Sequence, residues 1–444
     1  MLNPPRHSAS GLRARAAAVI AAIATAAALA LVPTAAHAAN TGTADVYAIE
    51  AGTVFTTPVG QGVLANDLGL GATALAQRTT SPNFGTVGVF NADGTFTYTP
   101  APGFVGSDGF TYCIALPVVG CVSANISVTI TVTSTIERIG GADRYATSAL
   151  VSSKKFLPGV DVAYVASGET FPDALSASAA AGAKGGPVLL VAKNAVPTDV
   201  AAELTRLKPK SIVLLGGTNA VSADVETALH SYAPAVTRIG GADRYAVSAG
   251  VSAATFPVVS LPGVPIAYVA SGEVFPDALS GSPAAGLKGG PVLLVGKDAV
   301  PAAIAAELRR LAPTKIVVLG GVNAVSPAVE TALNAIAPTT RIAGDDRFAT
   351  STAVSRDAFP STVTTTVYVA SGETFPDALS GAAAAIKNHA PVLLVTKDTL
   401  PAVTAVELDR LHPTRIVVLG GTNAISDATY ADLKTHLAKV RSDG

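Results

Sequence analysis

A chain of 444 residues, 49% apolar and 14% charged with no tryptophan, has room for several domains, since one hydrophobic core seldom grows past ~250–300 residues. The formal charge of −1 gives no basic face of the kind nucleic-acid binders carry. The low charge density excludes a disordered polar tail.

The first 39 residues stand apart. Arg6, Arg13 and Arg15 make a positive start with no acidic residue, Ala16 to Val32 is apolar or small apart from Thr25, and Pro33 follows. Ala36-His37-Ala38 then has the A-x-A form of a signal-peptidase site. This predicts a secretory signal over residues 1–38, cleaved after Ala38, rather than an uncleaved anchor. No other run reaches the ~18 apolar residues of a membrane helix, and the C-terminal HLAKVRSDG has no hydrophobic tail or sorting signal. The expected mature protein has no membrane partner and either diffuses away or holds a surface by non-covalent contacts.

From Asn40 to Thr133, Val, Thr, Phe and Tyr alternate at period two between Gly, Asn, Asp and Pro, the pattern of short β-strands. GTVGVFNADGTFTYTP predicts a hairpin turning at Asp93-Gly94, and SANISVTITVT the closing strand of a sandwich. Cys113 and Cys121 flank Pro117 and Gly120 between two strand-like pieces. With no His nearby, an oxidising compartment predicts a disulfide rather than a metal site. GVLANDLG, GTVGVFNADGTFTYTPAPGFVGSDGFTY and ISVTITV resemble the cadherin-like and bacterial immunoglobulin-like modules of secreted surface proteins. That resemblance covers nearly all of residues 40–133 and implies a spacer or adhesive stalk. Some such modules bind Ca²⁺ through an acidic run after the AND. Here the run is LGLGAT, so Asn66 and Asp67 lack the oxygen ligands the ion wants, and no calcium is expected.

Past Ser134 the chain repeats itself. RIGGADRYATS begins at Arg138, RIGGADRYAVS at Arg238 and RIAGDDRFATS at Arg341. ASGETFPDALS begins at Ala166 and Ala370, with ASGEVFPDALS at Ala270. Such units are domain-sized, too long for a solenoid repeat, and divide the chain into 135–235, 236–338 and 339–440. In the first, VAYVAS predicts a buried strand, PDALSASAAAGAK a small-residue helix and PVLLVA a second strand. PTDVAAELTRL follows as an amphipathic helix, SIVLLGG as a third strand and SADVETALHSY as another helix. TRIGG then opens the next unit and leads into the helix DRYAVSAGVSAATF. Continuous apolar strands between helices predict an α/β fold with a mostly parallel sheet covered on both faces. Ser167-Gly168 and Gly216-Gly217 fall just past strand carboxyl ends, where open parallel sheets place ligand crevices.

Much of the repeated chemistry has a structural use. Asp143, Asp243 and Asp346 stand at helix N-cap positions, as do Ser222, Ser326 and Ser426. Pro172-Asp173 puts a proline and a carboxylate in a first helical turn. A catalytic reading lacks parts. A Ser167 nucleophile needs a base, usually His, and no repeat position carries His in all three copies. Glu169 with Asp173 lacks the further carboxylates that a metal site draws from neighbouring strand ends. The glycine pairs lack the Lys-Ser/Thr of a phosphate loop. No catalytic residue, metal or cofactor is expected. Three copies on one chain suit weak sites linked for avidity, worth roughly 10²–10⁴-fold, on a long repetitive polymer.

R-I-G-G-A-D-R-Y-A-T-S, A-S-G-E-x-F-P-D-A-L-S and I-V-x-L-G-G-x-x-A-[VI]-S, in one order three times between Thr135 and Val440, resemble the cell wall binding repeat 2 family. The resemblance implies Toprim-like α/β modules around a pseudo-threefold axis and non-covalent attachment to the Gram-positive envelope through an anionic secondary wall polysaccharide. It also implies an accompanying effector domain, for which the β module is the candidate. Carried over by position, it implies polysaccharide contacts at Arg138, Asp143 and Arg144, at Arg238, Asp243 and Arg244, and at Arg341, Asp346 and Arg347. The second motif adds Ser167 and Asp173, Ser271 and Asp277, and Ser371 and Asp377. Arginine suits a phosphate- or carboxylate-bearing polymer because its planar fork binds either bidentately. The same Arg and Asp suit joining one module to the next equally well. Val247 in place of Thr147 and Thr350, Ala343 and Asp345 in the third copy, and Phe348 for tyrosine make the three sites unequal.

The sequence therefore predicts a secreted, wall-associated binding protein displaying a β-sandwich. Two other classes stay open. One is a surface adhesin or layer-forming protein whose repeats assemble with one another. The other is a metal-assisted hydrolase of wall polymers using Glu169, Glu273 and Glu373.

Overall fold

The computed structural model describes residues 41–439 apart from 72, 171, 259–262 and 362–363. The predicted signal and its cleavage site lie outside the described residues.

The N-terminal module is a sandwich of two sheets. One is built from β1 (Asp45–Glu50), β3 (Leu75–Arg78), β6 (Gly106–Leu116), β7 (Gly120–Cys121) and β8 (Ile126–Thr133), in the order β1-β8-β6-β3 with β7 beside β6. The other is β2 (Phe55–Thr56), β5 (Phe96–Pro100) and β4 (Gly85–Phe90), in that spatial order. Alternation decides which face turns inward. Ile126, Val128, Ile130 and Val132 of β8 are buried while the residues between them stay at least partly open. Phe96 meets Phe110 edge-on at 5.2 Å in the space between the sheets. The Cys113–Cys121 disulfide ties β6 to β7, and β4 and β5 form the hairpin read from the sequence. Asp67 is buried and already engaged: it accepts hydrogen bonds from the Tyr112 hydroxyl at 2.9 Å and from the Thr43 N–H at 2.7 Å.

Ser134 alone separates β8 from the repeats. The first comprises β9 (Thr135–Ile139), α1 (Arg144–Lys155), β10 (Ala163–Ser167), α2 (Pro172–Ala183), β11 (Val188–Val191), α3 (Thr198–Leu207), β12 (Ser211–Leu215) and α4 (Ala223–Leu229). The second is β13 (Ala235–Ile239), α5 (Arg244–Thr255), β14 (Ala267–Ser271), α6 (Pro276–Leu287), β15 (Val292–Val295), α7 (Ala302–Leu311), β16 (Ile316–Leu319) and α8 (Pro327–Asn334). The third is β17 (Thr339–Ile342), α9 (Arg347–Ala358), β18 (Thr366–Ser371), α10 (Pro376–Lys387), β19 (Val392–Val395), α11 (Ala402–Leu411), β20 (Arg415–Leu419) and α12 (Asp427–Thr435).

These elements form three parallel sheets, ordered β11-β10-β12-β13, β15-β14-β16-β17 and β19-β18-β20-β9. The Val-Leu-Leu-Val strands are buried throughout because helices cover both faces. TRIGG, read from the sequence only as a lead into a helix, belongs to a strand that pairs backwards. Ala235–Ile239 lies beside Ser211–Leu215 of the preceding unit, and Thr339–Ile342 beside Ile316–Leu319. In the third sheet the place beside β20 is taken by β9, with Thr135 opposite Arg415 and Ile139 opposite Leu419. The three units thereby close into a ring.

Helices α2, α6 and α10 pack pairwise at its centre, which their Ala, Ser and Gly residues permit by bringing the backbones close. At their amino ends the rings of Phe275 and Phe375 meet at 5.9 Å. At the other end the symmetry is broken. Ile386 of α10 fills the space that its counterparts Gly182 and Gly286 leave open, and a Cβ on either glycine would collide with it. The three helices therefore run side by side in one direction, and the carboxyl ends of all three sheets share one face of the ring.

The β-sandwich is docked on the opposite face, at the amino ends of β18 and β20. Arg415 binds Glu137 of β9 at 2.7 Å and reaches Glu50 of β1 at 3.8 Å, and Ala438 packs into the sandwich core. Burial alone would raise the Glu137 carboxyl, but hydrogen bonds from Lys155 and Arg415 outweigh it and hold the group at about 2.

Truncating the axial side chain leaves a void between three helices that cannot all collapse inward. Ile386→Ala is expected to cost ~2–4 kcal/mol in urea unfolding, and a change below ~1 kcal/mol would show that the axis repacks freely.

Candidate functional site

On the carboxyl face, each module locks its strand-end loops together by the same bonds. The Ser167 hydroxyl is buried and accepts from the N–H groups of Glu169 (3.1 Å) and Thr170 (3.3 Å), so it folds the turn after β10. Ser271 and Ser371 do the same in their modules. The Glu169 carboxylate accepts the Lys193 N–H (2.9 Å) from the loop after β11, and the Lys193 carbonyl accepts the Ser222 N–H (2.8 Å) from the loop after β12. Glu273 and Glu373 bind Lys297 and Lys397 alike. Arg144 donates to the Gly168 carbonyl at 2.5 Å, Arg244 to that of Gly272 at 2.5 Å and Arg347 to that of Gly372 at 2.6 Å.

Asp143, Asp243 and Asp346 cap α1, α5 and α9. Asp143 accepts from the N–H groups of Tyr145 and Ala146, Asp243 from those of Tyr245 and Ala246, and Asp346 from that of Ala349. Arg238 holds the loop after β12, donating to the carbonyls of Gly216 (2.8 Å), Val221 (3.0 Å) and Ser222 (3.2 Å) while pairing with Glu226 at 2.8 Å. Arg341 makes the matching bonds to Gly320 and Glu330. Arg138 binds Gly420, Ile425 and Asp427 across the closure of the ring, with its guanidinium 4.8 Å from the centre of the Tyr430 ring. These three arginines therefore fasten the backward-pairing strands to the loops beside them.

The remaining pairs span the junctions. Asp173, at the start of α2, lies beside Arg244 of the next module; Asp277 lies beside Arg347, and Asp377 beside Arg144. Each carboxylate rests on a glycine whose φ is near +90° to +100°: Gly216 at +92°, Gly320 at +93° and Gly420 at +101°. A side chain there would be strained by the backbone and would strike the aspartate oxygen. Asp173 and Asp277 are 9% and 8% exposed. Burial raises all three carboxyls, Asp277 and Asp377 to about 6, and the neighbouring arginine offsets part of the rise. Thr147 beside Asp377 also lowers it. The structure thus brings the Asp of one repeat to the second Arg of the following repeat, setting a largely buried acid beside a half-buried or exposed cation. It leaves the first Arg and the capping Asp in architectural positions.

Sequence reasoning passed over two further residues at this edge. Lys193, Lys297 and Lys397 follow the second strand of each module, and Asn219, Asn323 and Asn423 follow its third; all six are exposed. Their signal was recurrence, in VLLVAK, VLLVGK and VLLVTK, and in GGTNA, GGVNA and GGTNA. Among the described residues no group of three or more His, Cys, Asp or Glu is placed to hold a metal ion, and no helix is long and apolar enough to cross a membrane.

Comparison with known proteins gives a consistent pattern. The family model Cell wall binding domain 2 matches residues 138–226, 238–330 and 341–430, and the model Bacterial Ig domain matches 33–129. An N-acetylmuramoyl-L-alanine amidase, LytC, of Bacillus subtilis is 26% identical over 301 residues, covering 68% of this chain and 58% of its own length. An amidase enhancer of the same organism is 27% identical over 315 residues, covering 69% and 42%. The chain thus spans about half the length of these relatives. Among solved structures, Cwp6 from Clostridium difficile superposes with a TM-score of 0.66 at 20% identity, over 90% of this chain and 68% of that one. Cwp8 from the same organism gives 0.61 at 22% identity, over 74% and 59%. At these identities the likeness establishes the fold.

The buried carboxyls make stability depend on pH with a definite sign. Asp277 and Asp377 rise from 3.8 to about 6 on folding, so their contribution is complete below pH 3.8 and is lost as pH rises through about 6. Glu137 works the other way, contributing above pH 4.5 and losing that contribution as pH falls through about 2. Between pH 5 and 7.5 the wild-type chain is expected to lose stability relative to Asp277→Asn/Asp377→Asn. Parallel urea-midpoint curves for the two proteins would refute this assignment.

Proposed function

The chain belongs to the cell wall binding domain 2 family, and on that premise we propose that it is a secreted protein whose ring grips an anionic wall polysaccharide and carries a β-sandwich on its far face. Cell wall binding and a cell-surface location are the coarse statement that family membership supports. The finer reading rests on one observation: the same Asp–Arg pair, seated on a positive-φ glycine, recurs at three junctions on one face of the ring. A carboxylate there accepts sugar hydroxyls, and the open edge of a guanidinium favours phosphate or carboxylate groups. Three related junctions suit a polymer that repeats, because linked weak sites gain avidity when all engage together.

We propose binding rather than catalysis. The Ser167 hydroxyl and the Glu169 carboxylate, the groups a hydrolase would need, are both engaged in folding the loops. The amidase relatives match over the repeat region only.

The test is a sedimentation assay of the signal-free chain on purified Gram-positive walls, intact or stripped of secondary polymer by mild acid, at low and high salt. Retention on intact walls alone, weakening with salt, is the expected outcome. Equal retention on both preparations would favour assembly between surface proteins and sink the polysaccharide reading. Asp277→Ala is expected to reduce retention severalfold at unchanged salt sensitivity.

A further inference from the structure

The arginines named so far are all engaged within the protein, and those at the junctions share their charge with an aspartate, so a polyanion would gain from further cations on the same edge. Arg138, Arg238 and Arg341 are bound to backbone carbonyls and to carboxylates. Arg144, Arg244 and Arg347 each bind a glycine carbonyl and face an aspartate that offsets part of their charge. The lysines of the same edge differ. Lys193, Lys297 and Lys397 are exposed, and among the described residues none of their ammonium groups meets a hydrogen-bond acceptor or an ion-pair partner. Their backbones are held on both sides. Each N–H donates to a glutamate of the first loop, at 2.9, 3.1 and 3.0 Å respectively. Each carbonyl accepts the N–H of Ser222, Ser326 or Ser426 at 2.8–2.9 Å. The result is a fixed base carrying a free charge on a flexible stem, which meets an anion at varied positions better than a rigid fork does.

Resting on the polysaccharide reading above, we propose that Lys193, Lys297 and Lys397 are further anion-holding contacts of the ring, one per module beside the junction arginines, engaging phosphate or carboxylate groups of the wall polymer. The three are graded. Asn194 follows the first lysine, whereas Asp298 and Asp398 follow the other two and weaken the local field. The Lys193 contact is the strongest.

The experiment compares the wild-type chain with the triple variant Lys193→Gln/Lys297→Gln/Lys397→Gln on intact walls across a salt series. A second triple, Lys184→Gln/Lys208→Gln/Lys315→Gln, removes the same charge away from the carboxyl edge. All six side chains lie outside the cores, and equal thermal midpoints confirm folding. The first triple is expected to bind about tenfold more weakly with a flatter salt dependence, and the second to match wild type. Lys193→Gln alone is expected to lose more than Lys397→Gln alone. Amidating wall carboxyls, or removing wall phosphodiesters with cold hydrofluoric acid, identifies which anion the lysines hold by which treatment abolishes the difference between wild type and triple. If the wild-type chain fails to bind intact walls, the polysaccharide reading falls and this inference with it. If the wild type binds with salt sensitivity but both triples weaken alike, or neither weakens, the lysine inference alone is overturned.

Discussion

The ring depends on one strand pairing. Thr135–Ile139 completes a sheet whose other strands arrive more than 220 residues later, and it lies in register against Arg415–Leu419. The first and second units lend their open edges to β13 and β17, each the opening strand of the next unit, so each step along the chain builds a junction as it builds a module. At the third unit that edge is β20, and β9 covers it. Unless β9 returned to cover it, β20 would present unpaired backbone N–H and C=O groups, the usual seed of association between chains. Because β9 begins one residue after the β-sandwich ends, closing the ring also fixes the sandwich. Glu137 stands where both requirements meet, bridging α1, β20 and the approach to β1.

The same backward pairing explains why the Asp–Arg pairs lie at junctions. A strand that joins the previous sheet delivers the helix after it, with its arginine, onto the carboxyl edge of that sheet. There the arginine meets the aspartate of a central helix and the glycine loop beneath it. The central helices can approach closely only because their facing residues are small, and the axis admits one large side chain. Placing it on α10 alone, opposite two glycines, fills the core without a threefold collision. Three equal isoleucines would not fit, and three glycines would leave a channel, so near-identical repeats need unequal residues where they meet.

The two faces of the ring have separate characters. Serine turns, glutamate-clamped loops, lysines, asparagines and the junction pairs gather at the strand carboxyl ends. The sandwich and the Glu137 ion cluster occupy the other side. A surface held rigid by backbone hydrogen bonds loses little conformational entropy when a polymer binds it, and the three lysine stems are the part of that face left free to adjust.

By itself the sequence determined the repeated units, the parallel α/β elements in each, the β-sandwich, its hairpin and its disulfide. These follow from local signals: Val-Leu-Leu-Val runs buried on both faces, Asp143 at a helix start, Asp93-Gly94 between alternating strands, and two cysteines across a short turn. Resemblance to a family carried the expectation of modules about an axis. Only the tertiary structure decided which sheet the TRIGG strand joins, because a five-residue strand carries no local record of its partner. That pairing in turn assigned Arg238 to backbone carbonyls and set Arg244 against Asp173, residues of different repeats that no spacing rule brings together. It also separated Ile386 from Gly182 and Gly286, positions that read alike within a helix and differ only where three helices share one axis.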